Sequence, residues 1–251
     1  MHESLRELPL NLKEAIDWLF IVSRSGAIFR LAAYVRGVLV DSNPTEPRQH
    51  YISNLNAKVK EALSQWPLAE TSEFQKILKL YEPTHNDSKV AKCLGLDDDE
   101  EKNVNPMVKY EVTPWQVERY LNNCVKHFKG LLRRIMKPGH YRSSYSKWAN
   151  WRSDCEYDPQ ECANLFISVL PLVHASLELL YEYCSHWNYR GQMITDTREN
   201  HLGSYFEALG FDPKEDFKEG VDGGDAAESL MFARWDFLER MRMLCGFWVY
   251  Y

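Results

Sequence analysis

The chain has 251 residues, 45% hydrophobic and 26% charged, with 36 acidic against 30 basic residues and a net charge of −6. Such a length and composition can bury a sizeable core, which excludes a disordered chain, and the acidic balance argues against a general nucleic-acid binder. Twelve Gly and eleven Pro fall mostly at segment ends, while 14 Tyr, 11 Phe and 8 Trp provide aromatic area for a core and for a surface.

Asn11 is a strong N-cap and Glu14, three residues on, completes a capping box. Leu12, Ile16, Leu19 and Phe20 repeat at i, i+4, i+7 and i+8, one buried helical face. The helical pattern pauses near Ser25-Gly26 and resumes through Val40. Asp41 to Pro44 reads as a turn, and Pro47 to Trp66 as helix. Thr71 heads a short helix with Phe74, Ile77, Leu78 and Tyr81 on one face. Pro83 to Pro106 reads as a long flexible loop carrying the acidic run Asp97 to Glu101, which lacks the spaced ligands and Gly of a calcium loop.

Thr113 to Gln116 is a second capping box with Pro114 at N1, opening a helix to about Met136, just before Lys137-Pro138-Gly139. Asp158 to Glu161 is a third, opening the most apolar helix, to about Tyr183, with Pro171 expected to kink it. Gly210 is placed to end a short helix in a left-handed cap, with Phe211 as its apolar partner. Gly224 to Glu228 reads as a fourth box, leading into a helix through Leu244. The fold expected is all-α: a single-domain bundle of long capped helices over 1–251, with 107–251 as its most core-forming part. The uncharged run Ala163 to Leu177 is 15 residues, short of the roughly 20 that a membrane span needs, so a buried core helix is expected. Charged residues interrupt the N-terminal apolar stretch, so no secretory signal is expected there.

No hydrolase, zincin, P-loop or dinucleotide motif is present. Cys184-Ser185-His186 puts a thiol near an imidazole, but a nucleophile and its base normally meet across a fold. No catalytic, cofactor-binding or metal-ligating residue is expected; the eight His lack helical metal-site spacing. Cys93, Cys124, Cys155, Cys162, Cys184 and Cys245 form no C-x-x-C pair, and six cysteines allow 15 pairings if all are oxidised. Disulfides and reduced core thiols both remain open on this reading.

One charge feature stands out. Between Glu118 and Asp154 there is no acid, while nine of the 30 basic residues lie there, leaving 21 to balance 36 acids elsewhere. Such a stretch suits an acidic partner, an acidic glycan or an anionic membrane face; it also suits neutralisation of the chain's own acidic segments. Within it, Tyr141, Arg142, Tyr145, Lys147, Trp148, Trp151 and Arg152 interleave aromatics with cations, residue types enriched at interface hot spots. The four aromatics also have the spacing of a helical stripe, which would serve as core.

The block Asn11-Leu12-Lys13-Glu14-Ala15-Ile16-Asp17-Trp18-Leu19 resembles the opening block of the variant erythrocyte surface antigen-1 proteins of piroplasm (Babesia) parasites. Asn200 to Phe211, with its Leu-Gly ahead of Phe206-Glu207-Ala208-Leu209-Gly210-Phe211, is similar to a further block of that family. Gly220 to Leu230 resembles the segment after it, and Leu177 to Cys184 the Leu-Tyr-x-x-Cys region before it. The basic-aromatic segment has no counterpart in these blocks. The resemblance implies a non-enzymatic antigen exported to the infected erythrocyte surface or secreted, serving antigenic variation, immune evasion and adhesion. Its implied partner is a host cell-surface protein or acidic glycan, with hetero-oligomerisation with another family member as a further expectation and no nucleic acid. Family members carry an anchor near the C-terminus; Cys245 to Tyr251 is apolar but forms no span, so a trimmed ectodomain or a short soluble relative is expected. The alternative is an intracellular helical scaffold or adaptor docking an acidic partner.

Overall fold

The first two helices show how local chemistry sets the chain's course. The computed structural model describes residues 1–40, 113–185 and 202–233. Helix α1 (Leu12–Arg24) starts where Asn11 Oδ1 accepts the Glu14 N–H at 3.0 Å. Glu14 reaches back to the Leu10 N–H and the Asn11 side-chain amide, a variant of the expected box. The helix ends in a glycine cap: Gly26 has φ +68°, and the Ala27 N–H returns to the Val22 carbonyl at 3.1 Å. This turn bends the chain by 117° into α2 (Ile28–Val40), placing the pause and the resumption where the sequence indicates.

Helix α3 (Pro114–Ile135) opens with the full Thr113–Gln116 capping box and buries Val117, Leu121, Cys124, Val125, Phe128, Leu131, Leu132 and Ile135 along one face. Its C-terminus is closed from outside the helix. Lys218 Nζ donates to the Arg133 and Arg134 carbonyls at 2.8 and 3.0 Å, a cation at the negative end of the dipole. After α4 (Trp151–Asp154) comes α5 (Pro159–Ser185), opened by Asp158 Oδ1 accepting the Glu161 N–H and helical through Pro171. Then follow α6 (Leu202–Ala208), α7 (Pro213–Asp216) and α8 (Gly223–Ala233). The cap of α8 lies two residues before the expected one: Asp222 and Asp225 each accept the other's backbone N–H, at 3.1 and 3.2 Å.

The architecture is all-α. Among the described residues there are eight helices and no strand, with isolated bridges only at His2–Tyr145 and Met136–Phe217. Helices α3 and α5 form the centre: α1, α2 and α8 each pack on both. Trp18, Phe206 and Phe217 are among the largest fully buried side chains, and burying each contributes about 1.5–3 kcal/mol. The stretch Pro159–Tyr181 is long and apolar enough to cross a membrane, exceeding the 15-residue run visible in the sequence, but its most apolar 18 residues are 76% buried inside the fold. The expected helices at 47–66 and 71–81, the loop at 83–106, Cys93, Cys245 and the α8 extension to Leu244 lie outside the described residues.

The N-terminal block and the block around Gly210 meet in space. The Lys13 N–H, a free donor of the first turn of α1, is taken by the Leu209 carbonyl at 3.0 Å. Gly210 adopts φ +91° and ends α6, with the Phe211 N–H returning to the Phe206 carbonyl as expected. A Cβ at Gly210 would sit 2.3 Å from Asn11 Oδ1, so the close approach itself requires glycine. Phe206, Phe211 and Phe217 then pack edge-on and tilted beneath this joint.

Candidate functional site

The basic-aromatic segment is not the continuous helix that its spacing suggests. Residues 141–150 run as turns and extended chain, and only Trp151–Asp154 forms a helical turn. The reason lies in α1, which places a buried ionic pair against this segment. Lys13 Nζ donates to the Arg142 carbonyl at 2.5 Å and to Ser144 Oγ at 3.1 Å, and lies 3.5 Å from Asp17 Oδ2. Asp17, 1% exposed, accepts the Ser144 N–H at 2.7 Å and the Tyr141 hydroxyl. These bonds satisfy the buried charges and draw the segment out of a helical path.

The N-terminal residues clamp the same segment from its other side. The His2 N–H donates to the Ser144 carbonyl and the Ser146 N–H to the His2 carbonyl, both at 2.8 Å. The His2 ring stacks on Tyr145 at 4.6 Å, and the Tyr145 hydroxyl reaches the Glu7 carbonyl at 3.2 Å. Asp154 Oδ2 accepts the Leu5 and Asn150 N–H groups, and Trp18 Nε1 donates to the Leu5 carbonyl at 2.8 Å. Burial first, then the Asp17 carboxylate, pushes the Tyr141 phenol well above its ordinary value of 10. Burial, followed by Glu14, does the same to Tyr145.

The seven candidate contact residues therefore divide. Tyr145 and Trp151 are buried, and Tyr141 is half-buried and bonded to Asp17. They hold the segment in place and are removed from a direct contact role. Arg142, Lys147, Trp148 and Arg152 point outward, with Trp148 71% exposed and the Lys147 ammonium 4.9 Å from its ring centre. Spacing alone cannot separate the two sets, because the partners that fix the path of the segment, Lys13, Asp17 and His2, lie more than a hundred residues away.

Of the cysteines, Cys155 and Cys162 form a disulfide. Cys124 and Cys184 are buried thiols. Burial pushes the Cys184 thiol up, with Asp222 adding to the effect, so it is a poor nucleophile, and His186 lies outside the described residues. Among the described residues no group of three or more His, Cys, Asp or Glu is placed to hold a metal ion. A cavity of about 20 Å3 between α1, α3 and α5, lined by Trp18, Cys124, Phe128, Phe166 and other apolar groups, has room for about one water molecule but offers it few polar partners. No protein family, curated protein or solved structure is matched by this chain.

Proposed function

We propose that this chain is a non-enzymatic recognition domain of the kind implied by its resemblance to the variant erythrocyte surface antigens. On this reading it is exported to the infected erythrocyte surface or secreted, and it engages a host cell-surface protein or acidic glycan. The observation that carries the contact assignment is Trp148, largely exposed, paired with Lys147 and flanked in sequence by outward-facing Arg142 and Arg152. An aromatic with adjacent cations on a pinned segment loses little freedom on binding, which favours affinity. The Cys155–Cys162 disulfide supports an oxidising compartment over the intracellular-scaffold reading.

The test is binding of the full chain to a panel of host cells, compared with a variant carrying Arg142→Glu, Lys147→Glu and Trp148→Ala. Loss of binding in the variant is expected; equal binding by both chains, or by neither, removes the proposal. A thiol count on the denatured, unreduced natural protein checks the compartment. Six reactive thiols would favour the intracellular adaptor.

A further inference from the structure

The acid-free stretch contributes a second surface, on α3, that is separate in residues from the Trp148 segment. Trp115, Arg119, Asn122, Lys126, Lys129 and Arg133 are all exposed. At 3.6 residues per turn they fall within about a quarter of the helix circumference, opposite the buried Val117, Leu121, Cys124 and Phe128. From Arg119 to Arg133 the ridge runs about 21 Å at a 1.5 Å rise per residue. None of its four cations pairs with a carboxylate of the described residues; the neighbouring Arg134 does, with Glu228 at 3.3 Å.

Two further features of the ridge point to a ligand. Trp115 is 59% exposed, and the Arg119 guanidinium lies 5.8 Å from its ring centre, so an aromatic plate heads the line of charge. Gly130 lies beside Lys126 and Arg133 in the middle of an exposed helical stretch, although a Cβ there would meet nothing within 4 Å. Packing therefore does not require glycine at this place. Glycine leaves the backbone at the edge of the ridge, beside Lys126, uncovered by a side chain.

We propose that the α3 ridge binds a linear sulfated polysaccharide. Cations in a single file fit a chain with repeating anions, an exposed Trp stacks on a sugar ring, and the Asn122 amide can bond hydroxyls. An anionic membrane fits less well, because a helix lying on a bilayer inserts its apolar face, and that of α3 is buried in the fold. Duplex nucleic acid fits less well because its bases are stacked on one another and leave no free face for Trp115. The inference does not rest on the Trp148 surface.

The experiment measures retention of the full chain on immobilised heparin as a function of salt. Parallel measurements use vesicles containing phosphatidylserine and a DNA duplex. Retention on heparin at about 0.15 M salt is expected, with affinity falling steeply as salt rises. The variant Arg119→Gln, Lys126→Gln, Arg133→Gln should lose about tenfold or more in affinity. The Lys126→Arg variant should keep its affinity, and the Lys147→Glu, Trp148→Ala variant should lose less than the ridge variant. Circular dichroism checks that the triple variant is folded; if it is not, Lys126→Glu alone serves as the test and should weaken retention measurably. Absence of retention, equal retention by the ridge variant, or tighter binding to vesicles or DNA overturns the proposal. Loss confined to the Trp148 variant also overturns it, and leaves the reading of the Trp148 segment standing.

Discussion

Asp17 and Lys13 carry the largest single-residue risk in this fold, because both charges are buried and each is satisfied by a segment more than a hundred residues away. Replacing Asp17 with Asn leaves the Lys13 ammonium without its counter-charge, and breaking a buried pair costs about 3–5 kcal/mol. Urea unfolding of Asp17→Asn should show that loss, with little change for Arg24→Gln on the exposed end of the same helix. Tyr141→Phe removes one hydrogen bond to Asp17 and should cost about 1.5–3 kcal/mol. It should also change the alkaline limit. Both Tyr141 and Tyr145 hold their protons more tightly when folded than unfolded. Their contribution is complete below about pH 10; above it the unfolded chain releases protons that the folded chain keeps, and stability falls. Urea melts from about pH 8 to 11 should show this decline, and Tyr141→Phe should make it shallower.

At the scale of elements, glycines at two positions give opposite predictions. Gly210→Ala forces a left-handed backbone on an L side chain and drives its Cβ into Asn11. The conformation alone costs roughly 1–2 kcal/mol, and displacing the N-cap of α1 adds to it. Gly130→Ala places a methyl in open space within a helix and should stabilise the chain by about 0.5–1 kcal/mol. Thermal melts of the two variants should move in opposite directions. These elements also show what a sequence can disclose. The starts of α1, α3 and α5 and the Gly210 cap are legible because each is written within four residues: a capping side chain, its N3 partner, or a glycine after an apolar run. The 141–151 stripe has the right period and is still no helix. Its path is decided by Lys13, Asp17 and His2, and no local window contains those partners. The exposed ridge of α3 is legible as a lack of acids, but its single file emerges only once the helix boundaries are known.

For the whole molecule, the Cys155–Cys162 disulfide lies where separate parts of the chain converge. It joins the end of α4 to the first turn of α5. Beside it Arg6 donates to the Asp154 carbonyl at 2.6 Å and pairs with Glu161 at 3.2 Å, and Arg30 of α2 pairs with Glu156 at 2.8 Å. The loop it closes is short, so the entropic contribution is modest, roughly 2–3 kcal/mol. That corresponds to a melting-temperature decrease on the order of 5–10 °C for a chain of this size. The spatial pattern of the loss is more informative than its size. The packing of α2 and α8 on α3 and α5 lies apart from this bond, whereas the N-terminal residues cross 144–156 beside it. Reduction, or Cys155→Ser with Cys162→Ser, should therefore accelerate hydrogen exchange at residues 2–7 and 144–156 while amides in the middle of α3 and α5 remain protected. Because Trp148 projects from the loosened stretch and the α3 ridge does not, reduction should weaken contacts made through Trp148 and leave heparin retention intact. Uniform acceleration across α3 and α5 would instead mean that the disulfide supports the whole core, and that its link to the Trp148 surface is incidental.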